Sequence, residues 1–288
     1  MTKRTSPSSC QSAIEDPNAP GYFTTARVCG TTVTAMTLED MHRIVAVAIE
    51  TGRQWIIGHH NLHSLYLLQL EIRKQATSHL HEFNDFYRRA DFTTIDGMSM
   101  VVIARALGHP ISRCHRFSYS YTLRATLGHA ERSGWRVFYL GSSPSTVAKA
   151  YDIVRTHFPD LPFAAHHGLF AKSRDGSENR EVLEEIASFR PHLLFVGMGM
   201  PIQEYWVNEN CDKICANVIV TSGASLDYLT GSLRTPPEWV GNSGLQWLYR
   251  LITEPRRLGH RYLVEPLLTF WYIAGNRHRE YLKGYQEH

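Results

Sequence analysis

The stretch that indicates the fold of this chain most strongly is Leu193-Leu194-Phe195-Val196-Gly197-Met198-Gly199-Met200-Pro201-Ile202-Gln203-Glu204. Its four leading apolar residues are typical of a buried strand in a parallel sheet. Two glycines then form a turn, and Pro201 suits the first turn of a helix. A strand, a glycine turn and a helix N-terminus together present backbone N–H groups, and these suit a phosphate. A tight turn without any ligand explains the glycines equally well.

Strands and helices alternate on both sides of this stretch, from about residue 55 to residue 225. Apolar runs predict strands at 55–58, 91–96, 137–140, 163–165, 193–196 and 218–221. Helical spacing predicts helices at 36–52, from 62 to 90 in two pieces, and at 97–107, 119–133, 145–157 and 178–189. The alternation is typical of the α/β class, and we expect a Rossmann-like, mainly parallel sheet with helices on both faces.

Composition indicates an ordinary folded protein. Of the 288 residues, 43% are apolar and 20% are charged, which allows a large core. A net charge of +3 gives no reason to expect nucleic acid as a partner. The five cysteines include no CxxC pair, which favours free thiols in a reducing compartment. No apolar run approaches the roughly 20 residues that span a bilayer, so we expect a cytoplasmic protein.

The two ends of the chain differ from its middle. Residues 1–22 are polar and lack the apolar centre of a signal peptide, so we expect a flexible tail before an α/β domain at 23–240. Residues 241–288 are aromatic and basic, and they predict a helical appendage. Its basic cluster comprises Arg250, Arg256, Arg257, His260 and Arg261. Such a cluster can bind phosphates, attract an anionic membrane surface or form a solvated face, and the sequence leaves these alternatives open.

Two familiar kinds of site are disfavoured. A dinucleotide fingerprint needs a third glycine and an acidic residue about 20 positions later, and Gly197-x-Gly199 has neither, which argues against an oxidoreductase. His59, His60 and His63 lie close together, but their spacing matches no zinc pattern, so we interpret them as polar residues at a strand end. We therefore expect no metal and no bound cofactor.

Asp96 follows an apolar run and precedes a glycine and a predicted helix. At the carboxyl end of a strand it would point into the crevice where α/β sheets bind ligands, and it could act there as a general base. It could equally cap the following helix, and chemistry alone favours the cap. Asp227, in Ser225-Leu226-Asp227-Tyr228, has the same two interpretations.

The order of these motifs resembles the WecG/TagA/CpsF family of bacterial glycosyltransferases over roughly residues 28–265. The resemblance depends on Asp96-Gly97, Val196-Gly197-Met198-Gly199-Met200-Pro201-Ile202-Gln203-Glu204, Gly223-Ala224-Ser225-Leu226-Asp227, Gln246-Trp247-Leu248-Tyr249-Arg250-Leu251, Glu254-Pro255-Arg256-Arg257 and Arg261-Tyr262-Leu263. It implies inverting transfer of a sugar from a UDP-sugar to a polyprenyl-diphosphate-linked sugar, without a metal, in cell-surface polysaccharide synthesis. It places the enzyme peripherally on the inner face of the plasma membrane.

The resemblance also implies roles for individual residues. The catalytic aspartate is Asp96, and Asn61 matches a polar residue of the family at the end of an early strand. The remaining implied contacts are to UDP, from Gln203, Asp227, Arg250 and Arg257. Gly197 and Gly199 are added as phosphate contacts because their turn precedes a helix N-terminus. Asp227 would lie near the uracil.

The chain departs from the family pattern in two segments. His59 stands where the family usually has Thr, which makes it a partner or a rival of Asp96. Arg116-Phe117-Ser118-Tyr119-Ser120-Tyr121 replaces an Arg followed by Gly-x-Asp-Leu. The donor is left open among UDP-N-acetylmannosamine, its uronic acid and UDP-glucose, and the two departures favour an exopolysaccharide glucosyltransferase slightly. A non-catalytic sugar-nucleotide or lipid-binding component is the alternative, and a homo-oligomer stays open.

Overall fold

The structure, a computed structural model, describes residues 17, 22–72 and 81–274. Most of the expected tail at 1–22, the segment 73–80 and the last part of the appendage at 275–288 lie outside the described residues. A parallel sheet of seven strands forms the centre of the described chain, with helices on both faces and further helices after the last strand. This confirms the predicted fold class.

The strands form two sheets. The first is an antiparallel pair, β1 (Thr25–Val28) with β2 (Thr31–Thr34). The second contains β3 (Trp55–His60), β4 (Phe92–Asp96), β5 (Arg116–Phe117), β6 (Val137–Gly141), β7 (Phe163–His166), β8 (Leu193–Gly197) and β9 (Val218–Thr221). Its order is β5-β4-β3-β9-β8-β6-β7, and every neighbouring pair is parallel. All seven carboxyl ends therefore lie along one edge.

Helices cover the sheet and continue beyond it. They are α1 (Leu38–Thr51), α2 (Leu62–Ile72), α3 (His81–Arg89), α4 (Met98–Ala106), α5 (Tyr119–Arg132), α6 (Pro144–His157), α7 (Ser177–Phe189), α8 (Ile202–Asn210), α9 (Ser225–Leu229), α10 (Glu238–Asn242), α11 (Gln246–Thr253) and α12 (Pro255–Gly259). A π-helical turn, His260–Val264, leads into a last helix at 265–274. No strand follows β9 among the described residues, and none of the helices that the structure describes is long and apolar enough to cross a bilayer.

The alternation of side chains along the strands creates one core on each face of the sheet. In β8, Leu193 and Phe195 pack with α1, α5 and α6. Leu194 and Val196 point to the other face and pack with α3, α7 and α8. Burial on both faces explains why this strand is a continuous apolar run rather than an alternating one.

Three features differ from the sequence prediction, of which one is the unpredicted two-residue strand β5. β3 continues through His59 and His60, which the sequence placed after the strand. The β1–β2 pair was not predicted, because its strands have only four residues each. Thr31 Oγ1 lies 2.7 Å from His60 Nε2, so this small sheet packs against the end of β3.

Candidate active site

Two adjoining pockets lie at the carboxyl ends of β3, β4, β8 and β9. The inner pocket, of about 120 Å³, lies against the turns after β8 and β9 and includes Gly199, Gln203, Ser222 and Tyr228. The outer pocket, of about 290 Å³, lies between α2, α4 and the C-terminal helices and includes His63, Met98, Arg116 and Trp247. Five residues line both pockets: Asn61, Asp96, Gln246, Arg250 and Arg261.

Asp96 is the last residue of β4 and lies at the junction of the two pockets. It does not cap the next helix, because the residue before α4 is Gly97 and no side chain bonds to the exposed amides there. The capping interpretation, which chemistry alone favoured, is therefore wrong. Gly97 has a φ of +91°, a conformation that glycine adopts without strain. Asp96 itself lines both pockets.

Asn61 contacts this carboxylate. Its Nδ2 donates to Oδ2 of Asp96 at 3.4 Å, and its Oδ1 accepts from the backbone N–H of Ser64 at 3.0 Å. The second bond satisfies an amide in the first turn of α2. Asn61 is thus held by α2 while it holds Asp96, which suits the role of a positioning residue.

His59 is buried beside Asp96 and lines the inner pocket. Burial lowers the pKa of its imidazole below the usual value, although Asp96 opposes this effect. Nδ1 lies 3.1 Å from the carbonyl oxygen of Thr221, which can only accept, so Nδ1 carries the proton in the neutral ring. Nε2 makes no hydrogen bond within the described part of the chain and retains its lone pair.

His60 is a structural histidine. It is fully buried, it stacks on Tyr87 with ring centroids 4.0 Å apart, and it bonds to Ser64 and Thr31. Burial, with a contribution from His59, lowers its pKa to about 3, so the ring is neutral. Its partners fit the interpretation of a polar residue at a strand end.

The appendage contributes positive charge to the site. Arg250 and Arg261 line both pockets, and Arg257 lines the inner pocket while paired with Glu254. Burial and the neighbouring Arg250 lower the pKa of Arg261, although Tyr262 and Asp96 oppose them. Arg250 and Arg261 both lie near Asp96, and Glu254 and Glu265 are further carboxylates close to these arginines. Guanidinium groups that line a pocket are suited to an anionic ligand.

Arg261 is the functional candidate that sequence reasoning did not assign. It belonged to the basic cluster, and its helical spacing from Arg250 and Arg257 was the available signal. Only the fold shows that it reaches both pockets. Arg256, next in sequence to Arg257, is exposed and lines neither pocket.

In the glycine turn after β8, the backbone N–H of Gly199 already has a hydrogen-bond partner, which the sequence did not predict. Oε1 of Gln203 accepts from the backbone N–H of Gly199 at 3.2 Å, so this N–H is not free for a phosphate. Gly197 lines neither pocket, and a Cβ there would collide with Tyr139 and with the carbonyl of Gly223. Gly197 is therefore required for close packing. Gly199 and Gln203 do line the inner pocket.

Asp227 lies in α9, beside the inner pocket rather than in its wall. Its Oδ2 accepts from Ser142 at 2.8 Å and its Oδ1 accepts from Thr146 at 3.2 Å. The next residue, Tyr228, lines the pocket, and its ring lies under the Arg250 guanidinium at 5.8 Å. The Oη of Tyr228 and the Nε of Arg250 are buried without a hydrogen-bond partner in the described chain. Such groups are normally satisfied by a ligand or water.

The fold and the pockets together define a parallel α/β protein with an arginine-lined crevice at the carboxyl edge of its sheet. Comparison with known families identifies the group to which it belongs. Residues 26–283 match the model of the Glycosyl transferase WecG/TagA/CpsF family, and the chain belongs to this family. The match confirms the predicted family and the predicted class of glycosyltransferase.

Individual proteins of known activity share less than a third of their residues with this chain over the matched regions. Over 168 residues the chain is 29% identical to an N-acetylglucosaminyldiphosphoundecaprenol N-acetyl-beta-D-mannosaminyltransferase of Bacillus spizizenii, a match that covers 58% of this chain and 63% of that protein. A protein of Staphylococcus aureus with the same name is 28% identical over 189 residues, covering 66% and 71%. The chain thus matches under two thirds of the Bacillus protein's length.

Proposed function

We propose that this protein transfers a sugar from a UDP-sugar to a polyprenyl-diphosphate-linked sugar, with inversion at the anomeric carbon. The single observation that supports this best is the position of Asp96, a carboxylate at the junction of two pockets with arginines on both sides. The inner pocket would hold the donor diphosphate and sugar. The outer pocket would hold the acceptor sugar.

The proposed chemistry requires one proton transfer and one displacement. Asp96 takes the proton of the acceptor hydroxyl while that oxygen attacks the anomeric carbon. The new glycosidic bond forms as the bond from the anomeric carbon to the diphosphate oxygen breaks, and its electron pair leaves with UDP. Asn61 holds the Asp96 carboxylate in place through Nδ2.

The leaving diphosphate develops charge, and Arg250, Arg257 and Arg261, which line the inner pocket, would stabilise it. Preorganised groups of this kind contribute about 3 kcal/mol each to transition-state stabilisation. The unpartnered Nε of Arg250 and Oη of Tyr228 would then donate to the donor oxygens. His59 would accept a hydrogen bond from the donor sugar through Nε2, assisting Asp96 rather than replacing it, because its lowered pKa makes it a weak base.

The names of the relatives favour N-acetylmannosamine as the sugar and an N-acetylglucosamine-diphosphate lipid as the acceptor. We propose UDP-N-acetylmannosamine as the first donor to test, ahead of its uronic acid and of the UDP-glucose that the sequence departures favoured. Asp227 lies beside the inner pocket, held by Ser142 and Thr146, and its contact with the uracil ring stays a prediction.

A lipid-linked acceptor requires the site to open near a membrane, and the appendage suits this position. Its large apolar side chains are exposed, with Ile252 and Leu267 each 71% exposed and Trp271 63% exposed. Arg256 and Arg257 are exposed on the same segment. We propose that this segment of 241–288 binds the anionic inner face of the plasma membrane.

UDP release from a panel of the three UDP-sugars, with and without a short-chain polyprenyl-diphosphate-N-acetylglucosamine, tests the proposal. Release that requires UDP-N-acetylmannosamine and the acceptor together supports it. UDP binding without release from any pairing would instead favour the alternative, a non-catalytic sugar-nucleotide-binding component. Failure to bind UDP at all would contradict both.

A further inference from the structure

Gln203 joins two turns of the inner pocket. Its side chain is fully buried, and its Oε1 accepts from the N–H of Gly199 at 3.2 Å and from the N–H of Gly223 at 3.0 Å. Gly199 follows β8 and Gly223 follows β9, and the two strands are neighbours in the sheet. One amide oxygen therefore ties together the two turns against which the donor would lie.

The amide must have one particular orientation for this contact. Both glycine groups are donors, so the atom that faces them must be the oxygen. The Nε2 atom then faces Glu204 and donates to its Oε1 at 2.8 Å. A rotation of the amide by half a turn would place N–H groups against N–H groups and oxygen against carboxylate oxygen. Glu204 thus selects the orientation in which Gln203 can bind both glycines.

The burial of Glu204 in this position is energetically unfavourable. It is fully buried, and its Oε2 has no hydrogen-bond partner among the residues described. Burying a carboxyl group with one oxygen unsatisfied costs free energy. An apolar residue would avoid that cost but would leave Nε2 of Gln203 unpaired and its orientation unfixed. The arrangement is understandable if the orientation of Gln203 matters to the site.

We propose that Glu204 is a positioning residue for the donor pocket: through Gln203 it holds the turns after β8 and β9 at the separation that UDP requires. The inference rests on the proposed function for the identity of the ligand. The contact between Gln203 and the two glycines does not depend on any ligand. One N–H of the Gln203 amide remains for the nucleotide, so a direct contact with UDP is compatible with this role.

Exchanging the two side chains provides the test. Gln203→Glu places two carboxyl groups side by side, whereas Glu204→Gln keeps an acceptor for Gln203. The double variant Gln203→Glu/Glu204→Gln restores the pattern, because the new carboxylate accepts from both glycines and from the new amide. We expect Gln203→Glu at pH 8 to weaken UDP binding about tenfold, and the double variant to recover binding to within about threefold of the wild type. Glu185→Gln, an exposed change on α7, is the control.

Amide hydrogen exchange at Gly199 and Gly223 gives a readout that needs no ligand. We expect faster exchange at both glycines in Gln203→Glu and recovery in the double variant. At pH 6 a proton shared between the two carboxyl groups of Gln203→Glu can replace the lost hydrogen bond. The loss of UDP binding in this variant should therefore be smaller at pH 6 than at pH 8. A double variant that exchanges and binds no better than Gln203→Glu would overturn the proposal. If the wild type binds no UDP while the exchange pattern holds, the function proposed above fails, and Glu204 still positions the two turns for a ligand other than UDP.

Discussion

Nδ1 of His63 lies 2.6 Å from Oε2 of Glu265, and this contact joins the helix after β3 to the last helix of the appendage. The His63 side chain is 16% exposed and that of Glu265 is 8% exposed. Burial alone would raise the pKa of Glu265, but the hydrogen bond and charge of His63, with Arg261, lower it below its usual value. The carboxylate therefore stays ionised at neutral pH. His63 and the adjacent Pro266 line the outer pocket, so the contact shapes the proposed acceptor site.

Glu265→Gln should loosen this contact while preserving the size of the side chain. We expect the KM for the lipid-linked acceptor to rise about tenfold, with a smaller change in UDP affinity, because the outer pocket is affected more directly than the inner one. Steady-state kinetics with varied acceptor measures this. Equal losses for acceptor and UDP would show instead that the contact supports the whole site.

Arg261→Gln should weaken UDP binding more than tenfold, since a guanidinium that contacts diphosphate contributes about 2 kcal/mol. Arg256→Gln is a matched control, because Arg256 lies on the same segment but lines neither pocket. Calorimetric titration with UDP provides the measurement. If the two variants bind UDP equally well and both lose membrane binding, the arginines serve the lipid surface and not the donor.

Nδ1 of His59 contacts Thr221, and Nε2 is proposed to contact the donor sugar. Two substitutions distinguish these two contacts. Asn can replace Nδ1 and keep the bond to Thr221, whereas Gln extends to the position of Nε2. If Nε2 accepts from the donor sugar, His59→Asn should lower kcat/KM about tenfold while affinity for UDP alone is kept. His59→Gln should retain more of the activity. If His59→Asn were more active than His59→Gln, the contact of Nδ1 with Thr221 would matter more for activity than the contact of Nε2.

Glu204 gives the protein a predicted pH dependence of stability. Burial raises the pKa of its carboxyl group to about 7, although Gln203 and Arg261 act to lower this pKa. Tyr87 and Tyr205 also lie near the carboxyl group. A carboxyl group whose folded pKa is raised favours the folded state below its unfolded pKa, and this stabilisation is lost as the pH rises through 7.

Glu204→Gln does not titrate, so it should gain stability relative to the wild type by roughly 2 kcal/mol between pH 5 and pH 8. Thermal unfolding of both proteins across this range measures the difference, which corresponds to several degrees in Tm. A constant difference in Tm would mean that Glu204 titrates normally in the folded protein.

Much of the central sheet follows from sequence, because strands buried on both faces are continuous apolar runs. Leu193–Gly197 is such a run, and its predicted position matches β8. The short β1 and β2 and the two-residue β5 carry no such signal. Their pairing depends on tertiary contacts, such as the one between Thr31 and His60.

The position of Asp96 at a strand end was predictable from the sequence, whereas contacts between distant segments were not. Gln203 and Gly223 are 20 residues apart, and only the adjacency of β8 and β9 brings them together. Arg261 reaches both pockets because the appendage folds back over the sheet edge. Composition identifies its charge but not this position.

The central claim is that Asp96 removes the proton of the acceptor. Asp96→Asn preserves the shape of the side chain and removes its basicity. UDP release in the presence of UDP-N-acetylmannosamine and the acceptor should therefore fall at least about a thousandfold. Calorimetry should show a UDP affinity close to that of the wild type. Transfer by Asp96→Asn within a few-fold of the wild-type rate would contradict the claim.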